Sequence, residues 1–200
     1  HHSEYLAHPI HYLRDRDDLH AVIVCSKKLI NGLRQYADKC GSKVKIDEID
    51  EAMQLRIDTA SNLWARGRVD AACFADSIAK HCPDSAISFY MNPMQPFLNA
   101  ADFRRHAVRL RGILFDPFPL QERLSVGTSN LKARITRLRK TFQIRWIMRN
   151  PQLEKIFILN DAKIAKHFSG LGASATGRFD SIPDPIPLHL SCAPFVSSST

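Results

Sequence analysis

Lys155-Ile-Phe-Ile-Leu159 runs straight into Asn160-Asp161 and a polar helix start, and this junction constrains the chain more than any other stretch. An apolar run of strand length feeding a capped helix is one βα unit, and the extended segment at 178–186 then meets Pro183-Asp-Pro185. The same grammar recurs upstream. His20-Ala-Val-Ile-Val-Cys25 is a continuous apolar run, the mark of a strand buried on both faces, and Ser26 can cap the helix that follows with its stripe of Leu29, Ile30, Leu33 and Tyr36. Lys43-Val-Lys-Ile-Asp47 alternates as a short edge strand, while residues 86–91 and 108–115 are further apolar runs. The spacing predicts helices over 3–14, over 49–81 with a break near Gly67, over 97–106, and over 129–149 up to the stop at Asn150-Pro151. Strands separated by helices predict an α/β fold: a doubly wound, Rossmann-like, mostly parallel sheet in a single domain over residues 1–187, with its first strand missing. Residues 188–200 are expected to be an unstructured tail or the truncated start of a second domain.

Composition narrows the class. Hydrophobic residues make up 44% and charged residues 24%, the balance of a folded globular chain. No apolar run approaches the roughly 20 residues needed to span a bilayer. The five cysteines are scattered and never form a CxxC pair, so a reduced, cytoplasmic setting without structural zinc is expected. His8 and His11 alone have metal-like spacing, and two ligands do not make a site, so no metal is expected. The formal charge of +8 is uneven: residues 1–100 hold 12 Lys/Arg against 13 Asp/Glu, and residues 101–200 hold 16 against 7. A surface in the second half must carry the excess.

Arg111-Gly-Ile-Leu-Phe-Asp-Pro-Phe118, then the basic helix, then Asn150-Pro-Gln-Leu-Glu-Lys-Ile-Phe-Ile-Leu-Asn-Asp161 and Ser181-Ile-Pro-Asp-Pro-Ile186 resemble the amino-terminal half of GT-B-fold retaining glycosyltransferases of the group 1 type. The opening His1-His2-Ser-Glu-Tyr-Leu6 is similar to the segment after the first strand of such enzymes. The resemblance implies the acceptor-side domain of an enzyme that transfers a sugar from a nucleotide-sugar to a hydroxyl acceptor, a glycan or a lipid-linked molecule. The donor would bind a second domain that this chain lacks, so no cofactor is expected here, and the fragment alone is expected to be inactive. The absence of the first strand and its glycine turn departs from the family pattern.

Ligands of open α/β sheets sit beyond the carboxyl ends of the strands, which selects Ser26, Asn92, Asp116, Asn160 and Asp161 as substrate-binding candidates. Each has a plainer reading: Asn-Pro and Asp-Pro set turns, and Asn160-Asp161 caps the next helix. Asp184 between prolines reads as a rigid turn. His2 joins the substrate-binding candidates at the mouth of the cleft, unless the first histidines are a tag remnant. No catalytic residue is assigned.

The basic helix carries Lys132, Arg134, Arg137, Arg139, Lys140, Arg145 and Arg149, with no acid between Glu122 and Glu154. Leu131, Ile135, Leu138, Phe142 and Trp146 recur at helical spacing, which predicts one buried face and cations on the other. Such cations serve as a solvated face or as attraction to anionic lipid headgroups, which places a peripheral contact at the inner membrane face. The alternative function is a non-catalytic α/β module that binds anionic membrane or nucleic acid through residues 130–149. Nucleic acid is not favoured, because no DNA-reading motif or aromatic interleaving accompanies the charge.

Overall fold

The computed structural model describes residues 6, 9–10, 12–99, 103, 105–115 and 131–183, with the backbone alone at 131–134, 136 and 137. The chain is α/β with parallel strands, as its alternation of elements predicts. The six strands fall into two sheets rather than one. Each sheet belongs to its own compact unit, one within His1–Gln54 and a larger one over Leu55–Pro183.

In the first unit, β1 (Ala21–Cys25) and β2 (Val44–Glu48) pair in parallel from Ala21↔Val44 to Cys25↔Glu48. Helix α1 (Lys27–Ala37) turns Ile30, Leu33 and Ala37 inward, where they meet Ile10, Cys25, Cys40 and Val44. The continuous apolar run of β1 does not mark a strand covered on both faces, since Val22 stays 41% exposed. With a single strand beside it and α1 packed into the core, β1 has cover for one side. After α1 a 3-10 turn, Asp38–Lys43, reverses the chain at Gly41, whose φ of 58° suits a residue without Cβ. The Cys40 thiol donates to the Ile10 carbonyl at 3.3 Å and fastens this turn to the amino-terminal segment.

The second unit is built on four parallel strands in sequential order: β3 (Ser85–Ser88), β4 (Arg109–Leu114), β5 (Leu153–Leu159) and β6 (Phe179–Ile182). Helices α2 (Glu51–Asp58), whose last turn enters this unit, and α3 (Leu63–His81) precede β3; α4 (Leu131–Ile147) and α5 (Ala162–Ser169) flank β5. The break in the long helical stretch comes at residues 59–62, not at Gly67. There Asn62 adopts extended backbone, and its side-chain oxygen accepts from the Trp64 and Ala65 N–H groups at 3.0 and 2.9 Å, a cap strong enough to restart a helix. Gly67 lies inside α3 for a different reason: any Cβ there would overlap the Pro93 carbonyl. The stop is local, with Cys82 in the left-handed region at φ 45° just before Pro83.

One face of the sheet holds the core. Leu110 and Leu114 of β4, Ile156 and Ile158 of β5 and Phe179 of β6 cluster with Ala71, Ala75 and Ile78 of α3, Ile144 and Ile147 of α4, and Ile164 and Phe168 of α5. Gly112, on the same face, lets Met91 lie flat on the sheet. Exposed ion pairs, Arg111–Glu154 at 2.9 Å and Lys155–Asp180 at 3.4 Å, tie neighbouring strands together. Beyond α4, Asn150 is fully buried and completes the turn into β5, as the stop at Asn150-Pro151 predicts.

Candidate functional site

The carboxyl ends of β1, β3, β4 and β5 were expected to hold the chemistry, and some of the polar groups described there are occupied with structure. The Asn92 amide bridges two strand ends: its nitrogen donates to the Phe115 carbonyl and its oxygen accepts from the Phe115 N–H at 2.9 Å. It extends the β3–β4 pairing by one side chain, so Asn92 acts as a staple between the two strand ends. Ser26 sits at the N-cap position of α1, but its hydroxyl makes no capping bond; its carbonyl accepts from Leu29 N–H at 2.9 Å. Ser26 also belongs to the first unit, whereas Asn92, Asn160 and Asp161 belong to the second. His2 and Asp116 lie outside the described residues, as does Asp184.

Asp161 caps α5 as the sequence suggests: one carboxylate oxygen accepts from the Ile164 N–H at 2.8 Å. The other oxygen is buried and meets no hydrogen-bond donor among the described residues, and the whole side chain is 4% exposed. Asn160 beside it takes a left-handed φ of 55°, and its N–H donates to the Ile182 carbonyl at 2.8 Å. A non-glycine residue with positive φ, next to a buried carboxylate at the end of a parallel strand, is the most chemically suggestive point of this edge.

Helix α4 overturns the expected burial. Ile135, Leu138 and Phe142 are 57, 70 and 65% exposed, and Trp146 is 37% exposed. The core is met by the opposite side, Ile144, Ile147 and, one residue past the helix, Met148. At about 3.6 residues per turn these two apolar sets stand on opposite faces of the helix. Its end decides which faces in. Asn99 donates to the Trp146 carbonyl, Asn150 donates to the Leu98 carbonyl at 2.6 Å, and Arg178 reaches the Met148 and Asn150 carbonyls at 3.4 and 3.3 Å. These bonds lock the last turn with Ile144 and Ile147 inward, so the longer stripe faces out.

The outward face is ordered. Phe142 and Trp146 stack with ring centroids 6.4 Å apart and planes 17° from parallel, and the Arg149 guanidinium lies 5.4 Å from the Trp146 ring centre. Arg139 and Arg145 are exposed alongside. Lys140 turns inward, and its burial, with a smaller contribution from the positive charge of Arg139, lowers its pKa from the usual lysine value. The side chains of Lys132, Arg134 and Arg137 lie outside the described residues.

A second exposed apolar group stands at the α2–α3 corner, where Leu55, Leu63 and Trp64 are 63, 81 and 61% exposed. The expected helix over 49–81 gives no hint of this corner; the pair Leu63-Trp64 directly after the capping Asn62 makes it an exposed helix tip. Among the described residues no group of three His, Cys, Asp or Glu side chains could hold a metal ion, and no helix is long and apolar enough to cross a membrane. No protein-family model, curated protein or solved structure matches the chain.

Proposed function

We propose that this chain docks on an anionic membrane surface through the outward face of α4, as a peripheral contact. The observation that carries the reading is the exposure of Ile135, Leu138, Phe142 and Trp146 beside Arg139, Arg145 and Arg149. Aliphatic and aromatic side chains on one helix face, rimmed by cations, are the composition of a helix that lies in the headgroup layer. Covering the exposed parts of the four apolar side chains stabilises the bound state by about 1 kcal/mol each. Each arginine near an anionic surface adds about the same. Nucleic acid would use the arginines and the stacked rings, but it offers no place for Ile135 and Leu138.

Sedimentation with phosphatidylcholine vesicles, with and without phosphatidylserine, tests this directly. The chain should bind the serine-containing vesicles and release them as salt rises. Arg145→Gln with Arg149→Gln removes two attractive charges, worth about 2 kcal/mol or roughly thirtyfold in affinity. A chain that ignores anionic vesicles at low salt, or that prefers duplex DNA to them, refutes the reading.

A second reading is favoured by Asp161. The resemblance to the acceptor-side half of a glycosyltransferase would use this edge to hold a hydroxyl acceptor, and the Asp161 oxygen without a donor would accept from it if the edge opened to admit the hydroxyl. The nucleotide-sugar would then be held by a further domain, and a lipid-linked acceptor would agree with a membrane-bound α4. Titration with methyl glycosides, followed by NMR, should shift the amides of residues 160–164, and Asp161→Asn, which keeps the cap, should abolish the shift. Unmoved amides at saturating glycoside dispose of the acceptor site.

A further inference from the structure

We infer that the α2–α3 corner is a second point of contact with the same anionic bilayer, with Leu63 and Trp64 entering the headgroup layer beside the α4 face. The inference rests on the membrane reading of α4 and adds where the protein touches the membrane and how it is oriented.

Both features belong to the larger unit. Buried residues of α3 and of α4 pack into the same cluster, and Trp64, spaced i, i+3 and i+7 with Gly67 and Ala71, continues the core-facing side of α3 past the end of that cluster. The 3-10 turn Gln95–Phe97 is wedged between them and touches both. Trp64 rests edge-on against Phe97 of that turn, with ring centroids 4.8 Å apart and planes at 63°. Gly67, one turn further along α3, closes the same contact by bringing the helix backbone against Pro93. The corner is therefore fixed to the turn that α4 also packs against, and its position relative to the α4 stripe is set by packing.

The corner is also suited to a water-poor layer. The first orphan N–H groups of a helix are costly where water is scarce. Here the Asn62 side chain already accepts from Trp64 and Ala65. Arg66 is held by Asp70 at 2.9 Å and by the Ile57 carbonyl at 3.3 Å, which braces α3 against α2. Arg56 and Arg68 remain exposed beside the apolar tip, where anionic headgroups would meet them. Tryptophan beside leucine at an exposed helix start, with arginine on either side, suits the boundary between headgroups and acyl chains, where an amphipathic ring is most stable.

The chain has two tryptophans, and one stands in each patch. Trp146→Phe therefore leaves Trp64 as the single reporter, and Trp64→Phe leaves Trp146. Each protein is mixed at saturating lipid with phosphatidylserine vesicles whose phosphatidylcholine carries brominated acyl chains. We expect Trp64 emission to shift to the blue and to be quenched by bromine, as Trp146 emission is. Leu63→Ser, on a side chain 81% exposed, should weaken vesicle binding by about fivefold and leave the melting temperature in place. Quenching of Trp146 with Trp64 untouched overturns the second contact and leaves the α4 reading standing. Absence of quenching at both positions overturns both. Quenching of Trp64 alone supports the corner and removes α4 from the interface.

Discussion

Gly67→Ala is expected to destabilise the larger unit by about 3 kcal/mol, even though alanine is the better helix former. The residue sits inside α3, where the exchange alone would stabilise the helix by about 1 kcal/mol. A Cβ on Gly67, however, would overlap the Pro93 carbonyl oxygen, lie 2.7 Å from its carbon and come within 3.2 Å of Phe97 Cε2. Two of these three atoms are backbone, and backbone cannot rotate away as a side chain can. Relief requires α3 to separate from the Pro93 turn, which loosens Trp64 from Phe97 and opens the core at Ala71. Gly112→Ala is the internal comparison. Its Cβ would strike Met91 near the flexible thioether end of the side chain, so part of the strain can dissipate and a smaller loss is expected. Urea denaturation followed by circular dichroism reads both as a lowered midpoint. An unchanged or raised midpoint for Gly67→Ala would mean that helix and turn do not approach so closely.

Asn150→Ala should cost a similar amount, about 3 kcal/mol, for a different physical reason. Asn150 is fully buried. Its side-chain nitrogen donates to the Leu98 carbonyl at 2.6 Å, and its side-chain oxygen accepts from the Gln152 N–H at 2.9 Å. Removing the amide leaves the buried Leu98 carbonyl and the half-buried Gln152 N–H without these partners. Asn150→Asp separates this loss from a packing effect. It keeps the volume and the acceptor for Gln152 but turns an oxygen toward the Leu98 carbonyl, so it should be at least as harmful as alanine. If aspartate restored wild-type stability, the bond to Leu98 would be of no consequence. The same residue bears on function, because Asn150 and its neighbours fix the rotation of α4 about its axis. A weakened Asn150 should also blur which face of α4 is turned outward.

Much of the fold was legible because its causes are local. The strand-to-helix junction at Leu159–Asp161 announces itself through an apolar run and a capping aspartate, and that cap is present. The stops at Pro83 and Asn150-Pro151 follow from the missing donor and the restricted φ of proline. The parallel arrangement follows from helices interposed between strands, since parallel neighbours need a long crossover. The break between α2 and α3 was misplaced because glycine has two uses. At Gly67 it permits a close approach inside a helix, whereas the restart is written in Asn62, a less conspicuous signal.

The strand-end residues show a second limit. Asn92 sits where a ligand contact belongs and offers the right amide, yet its partner is the backbone of Phe115, 23 positions along the chain. Spacing cannot reveal a hydrogen bond between residues so far apart. Asp161 is the opposite case: the cap was foreseeable, and the second oxygen left without a donor is visible only when the surrounding strands are in place.

What the sequence determined by itself is the set of elements, their α/β order, and that α4 carries a long apolar stripe with cations around it. Only the tertiary structure decided which way that stripe points. Helical periodicity fixes the angles between side chains but is blind to rotation of the whole helix about its axis. α4 has a second, shorter apolar set in Ile144 and Ile147, and the bonds of Asn99, Asn150 and Arg178 to the chain at its carboxyl end turn that set inward. The surface proposed to meet the membrane faces outward because the shorter set is the one packed into the core, with those distant polar bonds at the end of the helix.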